Sequence, residues 1–259
     1  MDAPETPAPE GATRPRRKMH ILQLLPNLVS ILALCCGLTA IRLAVDGRFV
    51  TAIALIGLAA ALDALDGRLA RMLKSESAIG AELDSLSDFV NFGVTPALVL
   101  YFWGLKGDAS LGWIAVLIYA VCCILRLARF NVGNKTAPSG DAPERTSFIG
   151  VPSPAGAMLV LVPMYFTFAT GGQVFLPDLV VEAWMVGMGV LMISRIRTPS
   201  LKRVTVYADY ARYILVGGMA IIAALLTYPW VTLLSLALAY LVAIGFIWRR
   251  AAVTNRKTP

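Results

Sequence analysis

Long apolar runs separated by short polar stretches make up most of the 259-residue chain. A bilayer core about 30 Å thick takes roughly 20 apolar residues per helix, and these runs have about that length. They predict eight transmembrane helices, at 25–46, 49–73, 79–104, 110–130, 153–171, 178–194, 209–227 and 229–248. The last two are almost continuous and predict a tight helical hairpin around Tyr228. The expected fold class is therefore an all-α polytopic membrane protein with about eight transmembrane helices.

Basic residues alternate between the two sides of this predicted topology. Of the 23 Lys and Arg residues, all but Arg42, Arg48 and Lys106 fall on the side that carries the two termini. Such an asymmetry is the positive-inside pattern. We therefore expect both termini in the cytoplasm and the multi-pass chain in the inner (cytoplasmic) membrane of the cell. The same pattern accounts for the net charge of +7, so no nucleic acid is expected as a partner.

Composition excludes other classes of protein. Hydrophobic residues make up 58% of the chain and charged residues 15%, whereas a soluble globular domain carries about 25% charge. The four cysteines form two adjacent pairs, Cys35–Cys36 and Cys122–Cys123, inside apolar runs, so a secreted disulfide scaffold is excluded. Residues 1–20 begin with a stretch rich in Pro, Ala and Glu, which predicts a disordered cytoplasmic tail.

Four aspartates mark the junction between the second and third predicted helices. Asp63 and Asp66 are three residues apart, and Asp84 and Asp88 are four apart. Either spacing puts a pair on one face of a helix. A turn at about 74–79 would make the two helices antiparallel, so all four carboxylates can converge on one point.

Carboxylates at membrane depth need a compensating charge. Insertion scales assign a central Asp roughly 2.5–3.5 kcal/mol, so four would cost about 10 kcal/mol or more. Oxygen donors without a neighbouring His or Cys favour hard cations, and four carboxylates can hold two Mg²⁺ or Mn²⁺ ions that clamp a diphosphate. Gly67, Ala70 and Gly80 leave room for a bulky ligand near the backbone, and Arg71 can bind phosphate oxygens.

The pattern D-x2-D-G-x2-A-R-x8-G-x3-D-x3-D resembles the signature of the CDP-alcohol phosphotransferase family. Its fixed positions are met by Asp63, Asp66, Gly67, Ala70, Arg71, Gly80, Asp84 and Asp88. The resemblance implies a six-helix catalytic core at 21–215. Residues 216–259 would then add C-terminal transmembrane helices and a short cytoplasmic tail. It also implies a homodimer.

The resemblance further implies roles for individual residues. Asp63, Asp66 and Asp84 would ligate two divalent ions, and Asp88 would ligate metal and also deprotonate the acceptor hydroxyl. The residues expected to bind the CDP-alcohol are Pro26, Asn27, Gly67, Ala70, Arg71, Ser77 and Gly80. For Pro26 and Asn27 the alternative is a plain helix start with Asn as its cap.

Two more segments resemble the phosphatidylserine synthase branch of the family. They are Arg126-Leu-Ala-Arg129-Phe-Asn131 and Phe148-Ile-Gly-Val-Pro-Ser-Pro154. The resemblance implies an enzyme that transfers the phosphatidyl group of CDP-diacylglycerol to the hydroxyl of L-serine and releases CMP. Because serine carries a carboxylate, we expect Arg126, Arg129 and Asn131 in the acceptor site. The alternative for either arginine is a positive-inside anchor.

Two other functions remain open at this stage. A related phosphatidyltransferase would use glycerol 3-phosphate or choline as the acceptor, because the shared motif does not specify that substrate. A cation transporter could also carry an acidic site. Transport pathways usually place acidic groups at mid-depth on broken helices, whereas these aspartates lie near one membrane face.

Overall fold

The computed structural model describes residues 25–73, 77–105, 109–135, 147–172, 176–194, 197–199 and 208–255. The predicted tail at 1–20 lies outside these residues. The described residues form the elements α1 (Leu25–Val45), α2 (Phe49–Met72), α3 (Ala78–Asp88), a π-helical turn (Phe89–Val94), α4 (Thr95–Gly104), α5 (Ala109–Lys135), β1 (Ser147–Ile149), α6 (Ser153–Val160), α7 (Val162–Ala169), α8 (Asp178–Ile193), β2 (Arg197–Pro199), α9 (Ala208–Thr227) and α10 (Pro229–Asn255).

Each of the eight predicted apolar segments is helical, so the all-α polytopic fold is confirmed. Among the described residues, five helical stretches are long and apolar enough to cross a membrane: Leu25–Val45, Phe49–Met72, Ile79–Gly104, Ser110–Gly133 and Pro229–Arg249. The segment predicted at 153–171 is divided into α6 and α7, and the one at 178–194 forms the 16-residue α8. The segment at 209–227 matches the 20-residue α9 but is not among the five candidate spans, so the count of eight spans stays a prediction.

The predicted helix at 79–104 is interrupted by the π-helical turn at Phe89–Val94. The physical reason is Pro96, which lacks the N–H that would donate to the Phe92 carbonyl in a regular helix. A side chain from α5 compensates, because the hydroxyl of Tyr119 donates to the Phe92 carbonyl at 3.1 Å. Both Tyr119 and Phe92 are fully buried, so this hydrogen bond lies inside the helix bundle.

The predicted helix at 153–171 is interrupted in the same way. Pro163 cannot donate to the Leu159 carbonyl, and the chain breaks at Leu161 between α6 and α7. Here the indole N–H of Trp184 on α8 donates to the Leu159 carbonyl at 3.0 Å. Both prolines are thus accommodated by a hydrogen-bond donor from a neighbouring helix, as membrane helices require.

The buried face of α1 forms a seam of small side chains that packs against α2 and also against the π-helical turn. The buried positions of α1 recur every three or four residues, at Pro26, Ser30, Ala33, Gly37, Ala40 and Ala44. Helix α2 contributes Ala52, Ile56 and Ala59. Small residues let two membrane helices approach closely. Asp66 is the next buried position of α2 after Ala59, so the seam leads directly to a carboxylate.

The remaining elements complete the bundle around this pair. Helices α3 and α4 pack on α1, α5 packs on α8, and α10 contacts α7 and α9. Strands β1 and β2 form a short antiparallel ribbon that the sequence did not predict, with Phe148 opposite Thr198. Gly150 follows β1 with φ of 84°, and a Cβ there would collide with the backbone carbonyl of Met192. The ribbon therefore fixes the segment that leads into α6.

Candidate active site

The start of α1, the end of α2 and the start of α3 enclose a cavity of about 260 Å³. Among the residues that line it, nine were predicted from the sequence: Pro26, Asn27, Asp66, Gly67, Ala70, Arg71, Ser77, Gly80 and Asp84. Ser30 and Ala81 also line the cavity and were not predicted. The structure thus brings the expected CDP-alcohol-binding residues together around one space.

The carboxylates converge at one side of this cavity. One carboxylate oxygen from each of Asp63, Asp66 and Asp84 lies within 4.8 Å of the others. The carboxyl group of Asp88 is within hydrogen-bonding distance of Asp63, so it adjoins this group. The i, i+3 spacing on α2 and the i, i+4 spacing on α3 place each pair on one face of its helix, as this convergence requires.

The carboxylate group has unsatisfied oxygens. Oδ1 of Asp66 and Oδ1 of Asp88 are buried, and neither has a hydrogen-bond partner among the described residues. Buried polar atoms normally have a partner, and an orphaned one calls for an explanation such as a bound ion. Because every donor in the group is a carboxylate oxygen, these residues fit a hard divalent cation.

The two glycines of the motif have different surroundings. A Cβ on Gly67 would meet only the Arg71 Nη1 atom, at 4.0 Å, so the space in front of Gly67 is open. A Cβ on Gly80 would lie 2.8 Å from Asn27 Oδ1 and 3.0 Å from Ser77 Oγ. Gly67 therefore leaves space in the cavity, whereas Gly80 allows α1 to approach the start of α3.

Ser77 and Asn27 have clear local roles. The Ser77 hydroxyl accepts a hydrogen bond from the Gly80 N–H at 3.0 Å and caps the N-terminus of α3. Asn27 lies inside α1, two residues after Leu25, and its side chain faces Gly80. Its contact is thus with another helix rather than with the start of its own.

Arg126 approaches the carboxylates from α5. Its Nη1 atom donates to the hydroxyl of Ser153 on α6, and its guanidinium lies near the Asp88 carboxylate. Ser153 is fully buried. The guanidinium is therefore anchored to α6 by Nη1, while its buried Nε–H has no hydrogen-bond partner among the described residues.

The other two predicted acceptor residues make different contacts. Arg129 is exposed, and its Nη1 donates to the backbone carbonyl of Ile193 at the end of α8, at 3.2 Å. Asn131 donates from Nδ2 to the hydroxyl of Ser85 at 2.9 Å, one residue from Asp84. Arg126 thus lies near Asp88, while Arg129 and Asn131 connect α5 to neighbouring helices.

Sequence reasoning did not identify Ser30 or Ser153 as site residues. Ser30 occupies a position in the small-residue seam of α1, where a hydroxyl is the one polar group. Ser153 stands between two prolines at the start of α6. A hydroxyl within an apolar stretch was the available signal in both cases, but it does not identify the hydrogen-bond partner.

Comparison with known proteins identifies similar chains. The sequence profile of the CDP-alcohol phosphatidyltransferase family matches residues 23–196. A Mycobacterium leprae protein named CDP-diacylglycerol–serine O-phosphatidyltransferase is 42% identical over 238 residues, which cover 90% of this chain and 78% of that protein. A Helicobacter pylori protein of the same name is 36% identical, and the match covers 71% of this chain and 75% of that protein. A Bacillus subtilis protein of the same name is 30% identical, and the match covers 70% of this chain and 93% of that protein.

Proposed function

The chain belongs to the CDP-alcohol phosphatidyltransferase family, and on that basis we propose that it transfers the phosphatidyl group of CDP-diacylglycerol to the hydroxyl of L-serine. The products are phosphatidylserine and CMP. The observation that carries this proposal is the convergence of Asp63, Asp66 and Asp84 beside the cavity. The name of these relatives supports CDP-diacylglycerol and serine as the substrates.

The carboxylates hold the metal in this proposal. Asp63, Asp66, Asp84 and Asp88 bind two divalent ions, Mg²⁺ or Mn²⁺, and the free Oδ1 atoms of Asp66 and Asp88 support this assignment. When bound, such ions would neutralise the negative charge of the carboxylates and polarise the diphosphate of the substrate.

The cavity receives the cytidine diphosphate part of the lipid substrate. Arg71 borders it with an exposed guanidinium, which can donate two parallel hydrogen bonds to a phosphate. Gly67 keeps the space beside Arg71 open. The other residues proposed to bind the CDP-alcohol are Pro26, Asn27, Ala70, Ser77 and Gly80.

Asp88 acts as the general base. Its carboxylate takes the proton of the serine hydroxyl, whose oxygen then attacks the phosphorus that carries the diacylglycerol. The bond between this phosphorus and the bridging oxygen breaks, and CMP leaves with that oxygen. Arg126 binds the serine carboxylate, supported by its nearness to Asp88 and by its hydrogen bond to Ser153. Arg129 and Asn131 contribute by holding α5 against α8 and α3.

We propose that this site faces the cytoplasm. The exposed Arg68 and Arg71 lie at the same end of α2 as the carboxylates, whereas Arg42 and Arg48 lie at the opposite end of the α1–α2 pair. This distribution supports a positive-inside orientation with both termini cytoplasmic. The lipid tails of the substrate can then stay in the bilayer while serine arrives from water.

An acceptor screen tests the proposed function. Purified protein with Mg²⁺ or Mn²⁺ should release CMP from CDP-diacylglycerol when L-serine is added. Glycerol 3-phosphate and choline serve as matched acceptors, since each offers a hydroxyl without the serine carboxylate. CMP release that depends on one of these and not on serine would overturn the acceptor assignment. Family membership already favours this chemistry over the cation transporter considered above.

A further inference from the structure

Helix α1 carries none of the four aspartates, yet it contacts both helices that do. The hydroxyl of Ser30 donates to Asp66 Oδ2 on α2 at 2.5 Å and also lies 3.2 Å from the Pro26 carbonyl of its own helix. The backbone carbonyl of the same residue accepts a hydrogen bond from the hydroxyl of Ser87 on α3 at 3.2 Å. Ser87 immediately precedes Asp88. One residue of α1 is therefore bonded to both carboxylate-bearing helices.

These hydrogen bonds are shielded from solvent. Ser30, Asp66 and Ser87 are each no more than 5% exposed. A fourth buried residue extends the network, because Asn91 donates from Nδ2 to the Ser87 hydroxyl at 3.2 Å. Asn91 lies in the π-helical turn, and its Oδ1 rests against Gly37 in the seam of α1. Because water is excluded here, a polar group that loses its hydrogen-bond partner is left unsatisfied, which is energetically costly.

The way the helices pack shows why the hydrogen bonds from Ser30 to α2 and α3 matter for the site. Helix α3 packs mainly against α1, and at the site it meets α2 through the carboxyl groups of Asp63 and Asp88. Ionised carboxylates repel each other, so this contact does not by itself stabilise their arrangement. The attachment of each helix to α1 therefore helps to set the relative position of the two aspartate pairs.

We infer that Ser30 is a positioning residue that sets the geometry of the four carboxylates through its two hydrogen bonds. Its hydroxyl donates to Oδ2 of Asp66 and leaves Oδ1 of Asp66 available to a metal ion. Its backbone carbonyl accepts from Ser87 and so holds α3 at the position next to Asp88. Residues that orient metal ligands typically change metal affinity about 10–100-fold when they are replaced. This inference rests on the proposed role of Asp66 as a metal ligand.

The test measures Mn²⁺ binding to substrate-free protein in detergent by electron paramagnetic resonance. Ser30→Ala should weaken Mn²⁺ binding at least about tenfold, whereas Ser30→Thr retains a hydroxyl and should restore most of the affinity. The matched control is Thr39→Ala on the same helix, because the exposed Thr39 hydroxyl bonds only locally to the Cys35 carbonyl, at 2.6 Å. The control should bind Mn²⁺ like the unmodified protein.

A second variant covers the case in which Ser30→Ala does not fold. Ser87→Ala removes the link between α1 and α3 but keeps the Ser30 hydroxyl on Asp66, and it should also weaken Mn²⁺ binding. Unchanged affinity in whichever of the two variants folds would overturn the inference. If the unmodified protein itself binds no Mn²⁺, the proposed function fails instead, so the two failures are distinguishable.

Discussion

Replacing Tyr119 by Phe would remove the hydroxyl that compensates for Pro96 and leave the ring in place. The Tyr119 side chain is fully buried, and its hydroxyl donates to the Phe92 carbonyl at 3.1 Å. A hydrogen bond of this kind contributes about 0.5–1.5 kcal/mol in soluble proteins, and interhelical ones in membranes average about 0.6 kcal/mol. We therefore expect Tyr119→Phe to lower the free energy of unfolding by about 1 kcal/mol.

The link to the proline makes this prediction specific. Pro96→Ala supplies the missing N–H, which can then donate to the same Phe92 carbonyl. In the Pro96→Ala background, Tyr119→Phe should cost less than it does in the unmodified protein. The coupling energy between the two sites should be at least about 0.5 kcal/mol, as for residues that share a partner.

The assay is reversible unfolding of the purified protein in mixed micelles, followed by circular dichroism. Tyr165→Phe is the matched control, because Tyr165 is also fully buried but its hydroxyl lies 3.9 Å from the Met158 sulfur, a weak acceptor. The control should lose less stability than Tyr119→Phe. Equal costs of Tyr119→Phe with and without Pro96→Ala would refute the reasoning.

Three further predictions concern the site. Gly80→Ala should lower the free energy of unfolding by about 1–3 kcal/mol, because its Cβ would press on the side chains of Asn27 and Ser77. Gly67→Ala should mainly raise the KM for CDP-diacylglycerol. Thermal unfolding and enzyme kinetics distinguish the two effects, and the reverse pattern would contradict the roles given to these glycines. Arg126→Lys should raise the KM for serine about tenfold, equivalent to about 1.4 kcal/mol, whereas Arg129→Lys should raise it much less. Equal effects of the two variants on this KM would contradict the assignment of Arg126 alone to the serine carboxylate. Asp88→Asn should slow CMP release at least about 100-fold while lipid binding persists, and retained turnover would exclude it as the base.

The helices could be predicted because a membrane span needs a long apolar run, and such runs are visible in any sequence. The interruption at Phe89–Val94 could not, although Pro96 is a visible signal. Proline is tolerated inside a membrane helix when a neighbouring group satisfies the freed carbonyl. Here that group is Tyr119, and no local pattern links it to Phe92. The ribbon of β1 and β2 was missed for a similar reason, since it joins two three-residue segments far apart in the chain.

The convergence of the aspartates could be predicted from their spacing and from the turn between the two helices, because helical periodicity places each pair on one face. Ser30 could not be predicted, because it reaches Asp66 across 36 positions of the sequence and depends on how α1 packs. The sequence also does not distinguish the roles of Arg126 and Arg129. Only the packing shows that Arg126 bonds to Ser153 and lies near Asp88, while Arg129 bonds to the end of α8.

The most direct test of the central claim follows the hydroxyl oxygen of serine. The purified protein is given CDP-diacylglycerol, a divalent cation and L-serine labelled at that oxygen with a heavy isotope, and the products are analysed by mass spectrometry. We predict phosphatidylserine that carries the label and CMP that does not, because the oxygen attacks the phosphorus bearing the diacylglycerol. Labelled cytidylyl-serine together with phosphatidic acid, or no serine-containing product, would contradict the account.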